Sequence, residues 1–313
     1  MMMKYIIMAL FYVSFIGILL CFPDSTIEYA YQGLTQWATR MVPTLFPFMI
    51  ISSMMIHTGV DSWLTKIIKP ILKPLFSCSS NGLYAIVMGF LCGFPMGARS
   101  ACDLRKNKRI SKSEAEYLLA FCNNIGPTYF LGIIFPLLEK CGYHNKLLLL
   151  FGLYGIPLLY GIFLGKITQA SNMETHKTMD ERDKKQIYTP FTKALRQSCL
   201  SSIQSILLLG GYVTFVNAFR AIPELLNLPS CVSIIIGGFL EIVYGIPGIF
   251  YNEQLSTQWK AFYIMTALSF SGICCMLQTS SITIEEELSM KKYIFHKVII
   301  TTLAAAYYFI IFI

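Results

Sequence analysis

Met88-Gly-Phe-Leu-Cys-Gly-Phe-Pro-Met-Gly-Ala98 is an uncharged apolar run that carries three glycines and one proline. Its composition demands burial, yet its glycines and its proline oppose an unbroken helix. Proline removes a backbone donor and clashes with the preceding turn. In hydrocarbon, the backbone groups freed by a break are tolerated only where protein or a water-filled cavity satisfies them. A second run, Ile234-Ile-Ile-Gly-Gly-Phe-Leu-Glu-Ile-Val-Tyr-Gly245, has the same character and holds one carboxylate, Glu241, in its middle. Two interrupted apolar runs in one chain point to an all-α polytopic integral membrane protein with broken helices.

The rest of the chain agrees. A bilayer crossing needs about 20 mainly apolar residues. Uncharged stretches of about that length fall near 5–23, 41–60, 74–98, 117–138, 147–165, 200–219, 230–251, 261–284 and 298–313, which predicts about 8–9 transmembrane helices in the cell membrane. Of the 313 residues, 55% are hydrophobic and 13% charged, where a soluble domain carries about a quarter charged. A water-soluble globule is excluded. The net charge of +8 sits in short polar segments. Between Arg99 and Lys112, six Lys/Arg face Asp103 alone; between Lys166 and Arg196, seven face four acids. Cationic loops beside apolar spans stay on the cytoplasmic side, and the two spans between these loops satisfy that parity. The loops are too short to present a basic face to nucleic acid, so no nucleic-acid partner is expected. Segment 61–77, with Lys66, Lys69, Lys73, Pro70 and Pro74, reads as an interfacial amphipathic helix or a re-entrant piece. The run after Lys4 reads as an uncleaved first span.

Catalytic and metal signatures are missing. No Walker A, GxSxG, HExxH or strand-linked GxGxxG pattern occurs, and the four histidines are scattered. No enzyme activity, metal site or cofactor is therefore expected. The ten cysteines form no CxxC pair, and those in apolar runs read as small hydrophobes. Ser113 and Glu116 have the spacing of a capping box. Arg99, at the end of the first interrupted run, reads as snorkelling to the cytoplasmic interface.

The candidate site follows from comparing the two halves. Gly89-Phe-Leu and Gly238-Phe-Leu are each followed, 32 residues on, by a second interruption: Phe121-Cys-Asn-Asn-Ile-Gly126 and Phe270-Ser-Gly-Ile273. Paired, Gly/Pro-interrupted spans at matching positions of two halves point to a transporter's central site. Gly93, Pro95, Gly97, Gly126, Pro127 and Gly272 are the helix-break residues. A carboxylate inside a span usually faces a cavity or pathway, which makes Glu241 the leading substrate-binding candidate. The amides Asn123, Asn124 and Gln278 join it.

Met41-Val-Pro-Thr-Leu-Phe-Pro-Phe48, Met88 to Ala98, and Leu119-Ala-Phe-Cys-Asn-Asn-Ile-Gly-Pro127 resemble the Gate-domain, or nucleoside-recognition, membrane family. That group includes the YlbJ-like sporulation membrane proteins, the spore maturation proteins and the Gate segments of ferrous-iron transporters. Ser269 to Gln278 and the Glu241 run are similar to its second-repeat signature, and the resemblance covers residues 40–282. It implies two Gate-like repeats, at 40–165 and 198–284, between an N-terminal helix (1–30) and a C-terminal helix (285–313), with a polar cytoplasmic linker at 166–197. It also implies a transporter or transporter-like protein of endospore formation, with a small polar or ionic substrate between the repeats. The alternative is a non-transporting scaffold that recruits partners during sporulation. The partner classes admitted are the lipid bilayer, a small-molecule or ionic substrate, a second copy in a homodimer, and other sporulation membrane proteins.

Overall fold

Helices in this chain end where glycine, proline or a polar side chain interrupts an apolar run. The computed structural model describes residues 2–169 and 189–313, and every regular element among them is helical. Most of the polar linker 166–197 lies outside the described residues. Six stretches are long and apolar enough to cross a membrane: Pro23–Thr58, Lys112–Lys140, Lys146–Thr168, Phe191–Ala221, Thr257–Glu286 and Met290–Phe312. Tyr5–Cys21, Gly82–Cys92, Ser230–Leu240 and Ile242–Tyr251 are apolar but shorter. The all-α polytopic class is as the sequence indicates, and three of the nine expected stretches, 5–23, 74–98 and 230–251, do not form a helix long enough to cross.

The chain opens with α1 (Met2–Cys21), α2 (Pro23–Gln36) and α3 (Val42–Thr58), the last two joined by a π-turn at Trp37–Met41. Then α4 (Val60–Leu72) exposes Lys66 and Lys69 and buries Asp61 and Thr65, as an interfacial amphipathic helix does. Asp61 is held by Arg109 at 2.6 Å. Burial pushes its carboxyl up, against the opposing pull of the guanidinium.

Stretch 74–98 is not one crossing. It folds as α5 (Gly82–Cys92) and part of α6 (Met96–Lys106), each 11 residues long. Such a helix is about 17 Å long, against a hydrocarbon core of about 30 Å. The chain turns at Gly93, whose φ of +77° favours glycine, and α6 doubles back along α5. A Cβ at Gly89 would lie 3.1 Å from the Cα of Gly97. Next comes α7 (Lys112–Cys122). Its N-cap is Ser111, which accepts a hydrogen bond from the Glu114 amide, rather than Ser113 with Glu116. Glu114 instead turns inward and accepts from the Ser79 amide and hydroxyl, both at 2.7 Å. The extended link Asn123–Gly126 separates α7 from α8 (Pro127–Tyr129), which continues through a π-turn at Phe130–Ile134 into α9 (Phe135–Lys140). The return crossing combines α10 (Lys146–Leu150), a π-turn and α11 (Ile156–Gln169).

After the linker, α12 (Phe191–Ala218) and the short α13 (Ile222–Leu225) lead to stretch 230–251. That stretch is also a hairpin, of α14 (Ser230–Leu240) and α15 (Ile242–Tyr251), reversing at Glu241. A Cβ at Gly245 would stand 2.3 Å from the Cα of Gly238. Then α16 (Thr257–Phe270) breaks at Ser271 and Gly272, both with positive φ, and resumes as α17 (Gly272–Thr283). Helix α18 (Met290–Phe312) closes the fold. The Glu116 carboxylate on α7 accepts from the Ser289 amide and pairs with Lys292 at 2.7 Å. The start of one interrupted span therefore lies beside the end of the other, and 112–140 and 257–286 run in opposite directions. Because α6 leads straight into α7 and α15 into α16, the two hairpins open toward opposite faces.

Candidate functional site where the broken helices cross

Glycines bring the breaks into backbone contact. A Cβ at Gly93 would meet the Gly126 nitrogen at 2.2 Å, and one at Gly97 the Cys122 carbonyl oxygen at 2.4 Å. Pro95 caps the start of α6 and Pro127 occupies the first turn of α8, where its missing N–H costs nothing. On the other side, a Cβ at Gly272 would lie 3.3 Å from the Leu240 carbonyl oxygen. In each half the turn of the hairpin thus rests on the break of the interrupted span.

The polar candidates serve these breaks. Glu241 is buried, and its carboxylate accepts from the Val243 and Tyr244 amides at 2.9–3.1 Å. An anion at a helix N-terminus satisfies otherwise orphaned donors and complements the helix dipole. Asn123 spans the two halves: its Oδ1 accepts from the Ala98 amide at 3.3 Å, and its Nδ2 donates to Thr279 at 2.8 Å and to Tyr293 at 3.3 Å. Asn124 donates to the Phe121 carbonyl at 2.6 Å. Gln278 is buried on α17 and donates to the Cys274 sulfur.

Sequence reasoning missed Lys297. It is 2% exposed, and its Nζ donates to the Asn123 carbonyl at 3.1 Å and to Asn124 Oδ1 at 3.4 Å. The expected last stretch begins at residue 298, so the only deep lysine of the last helix falls just outside it. Arg99 also differs from expectation. It does not snorkel but is 4% exposed, donating to the Ser201 hydroxyl at 3.0 Å and to Ser205 on α12, with Asp103 at 3.6 Å. Serines one turn apart on α12 supply acceptors inside the fold, which removes the reason to reach for the interface.

Beside the crossing lies a cavity of about 370 Å³. Its walls draw on both halves, with Phe94, Ile125 and Gly126 from one and Ile242, Val243, Cys275 and Gln278 from the other. Pro43, Pro47 and Phe48 of α3 and Gln36 and Arg40 before it complete the chamber. Of the four substrate-binding candidates only Gln278 lines it, while Asn123, Asn124 and Glu241 stand behind the wall. Two buried polar atoms of the lining have no hydrogen-bond partner, Gln36 Oε1 and the Tyr129 hydroxyl. A buried orphan of this kind costs about 1–3 kcal/mol, and a bound molecule with polar groups would relieve it. Neither residue carries a motif of its own: Gln36 precedes an expected span, and Tyr129 lies inside the expected stretch 117–138 as one aromatic among many.

The family model described as Gate, nucleoside recognition, matches residues 38–140. The chain is 23% identical to the sporulation integral membrane protein YlbJ of Bacillus subtilis (strain 168), over 96% of its own length and 81% of that protein. No solved structure matches it. Segment 38–140, which holds the first hairpin and the first interrupted span, is therefore the part of this multi-pass chain that is similar to the Gate nucleoside-recognition family, and the chain almost end to end is similar to a sporulation membrane protein.

Proposed function

We propose that this chain is a transporter-like protein of endospore formation, not an enzyme, in which two inverted repeats hold a small polar or ionic substrate at the crossing of their broken helices. The cavity carries the reading: it is walled by both halves, lies against the helix breaks, and leaves Gln36 Oε1 and the Tyr129 hydroxyl without partners. The opposite directions of 112–140 and 257–286 support inversion, since inverted repeats place broken helices on either side of a central site. Asn123, Asn124 and Glu241 shape the site from behind by fixing the helix ends, and Gln278 faces it directly. Alternating access is then a movement of one hairpin-and-span unit against the other.

Thermal unfolding of detergent-purified protein against nucleosides, amino acids, phosphate and divalent cations tests this. A ligand at a hundred times its dissociation constant adds about 2.7 kcal/mol of apparent stability. We expect one chemical class to shift the wild type and to lose that effect in Gln36→Leu with Tyr129→Phe. If no class shifts the wild type, or the shift survives the double variant unchanged, the cavity is not the binding site and the scaffold reading gains weight.

A further inference from the structure

Helix α7 stops in the interior of the protein, and its last carbonyls point into low-dielectric surroundings. A helix C-terminus carries a partial negative charge of roughly half an electron, and its final four carbonyls lack intrahelical partners. Such an end is a cation site in waiting; in broken-helix transporters the same feature coordinates a free coupling ion. Here it is already filled. Nζ of Lys297 reaches across from α18 to the carbonyl of Asn123, the C-cap of α7, at 3.1 Å, and to Oδ1 of Asn124 at 3.4 Å. Its remaining side faces the Phe94 ring, 5.2 Å from the centroid, at cation–π distance. Carbonyl oxygen, amide oxygen and ring face are what a dehydrated monovalent cation accepts.

No carboxylate lies within 4.0 Å of this ammonium among the described residues. The negative end of α7 is thus its counter-charge. A lysine held here only for packing would snorkel, since a four-carbon stem readily reaches an interface, yet Lys297 is 2% exposed. We propose that Lys297 is a tethered cation occupying a monovalent-cation site built by the end of α7, so that the protein requires no free cation at this position. The site stands whether or not a substrate crosses the protein.

Removing the tether should uncover the site. In Lys297→Ala, thermal unfolding is followed with ammonium, methylammonium, potassium or sodium chloride, balanced to constant ionic strength with tetramethylammonium chloride. The variant should unfold below the wild type, and at least one small cation should restore it saturably while leaving the wild type unmoved. At ten times the site's dissociation constant, the folded-to-unfolded ratio should rise about elevenfold. If no small cation outperforms tetramethylammonium, or the wild type responds equally, the proposal fails. Where Lys297→Ala cannot be purified, Lys297→Met decides. It fills the same volume without charge and should be less stable than the wild type. Equal or greater stability would show that the end of α7 needs no cation.

Discussion

Glu241 stands out in the sequence as a lone acid in an apolar run, and the structure gives that acid a specific task, capping α15. Replacing a capping side chain by alanine costs about 0.5–2 kcal/mol. Glu241→Ala should fall in that range in chemical or thermal unfolding. Glu241→Gln, which keeps one acceptor oxygen but loses the charge, should lose less. A Gln variant as weak as Ala would mean that the charge, and not the hydrogen bond, is what the break requires. Gly93 offers a sharper contrast. Its φ is +77° and its ψ −159°, a conformation open essentially to glycine alone, and a Cβ there would stand 2.2 Å from backbone, so Gly93→Ala combines that backbone strain, about 1–3 kcal/mol, with overpacking, about 1–3 kcal/mol. Gly211→Ala has open space around it in mid-helix and should be neutral or stabilising by up to about 1 kcal/mol. Lys297 marks the limit of residue-level reading. A lysine one residue outside an expected span looks like a flank, and only the depth of α18 in the fold reveals it as buried.

Breaks in the elements were legible because glycine and proline act locally on the backbone. Gly93, Pro95, Gly126, Pro127 and Gly272 all fall at the ends of helices. What the chain does after a break was not legible. Whether α6 continues past α5 or folds back depends on the contact of Gly89 and Gly97 with Cys122, 33 and 25 residues further on, and no local propensity encodes it. The same holds for α14 and α15, where Gly238 meets Gly245. Elements around the basic loop rest on ion pairs of unequal worth. Asp61–Arg109 is fully buried on the acid side, and removing one partner of a buried pair costs about 3–5 kcal/mol. Asp61→Ala should therefore strongly lower the unfolding temperature. Lys106–Glu285 at 3.4 Å and Lys112–Glu287 at 3.7 Å are exposed, and exposed pairs contribute about 0–1 kcal/mol. Lys106→Ala and Glu285→Ala should leave unfolding nearly unchanged, and a large loss in either would reveal coupling between these pairs.

For the molecule as a whole, one arrangement underlies the rest: two short-helix hairpins that enter from opposite faces and meet the breaks of two antiparallel spans. Composition and the basic loops foretold a multi-pass membrane protein, but they could not show the opposed hairpins, because stretches 74–98 and 230–251 each look long enough to cross. The measurement that tests this arrangement most directly is labelling of single introduced cysteines by a membrane-impermeant maleimide, with the native cysteines replaced. Asn107→Cys lies at the open end of the first hairpin and Glu253→Cys at the open end of the second. Opposed hairpins predict that Glu253→Cys is labelled in intact cells and Asn107→Cys only after permeabilisation. Labelling of both from the same side would contradict the opposed hairpins and, with them, the crossing on which the cavity depends.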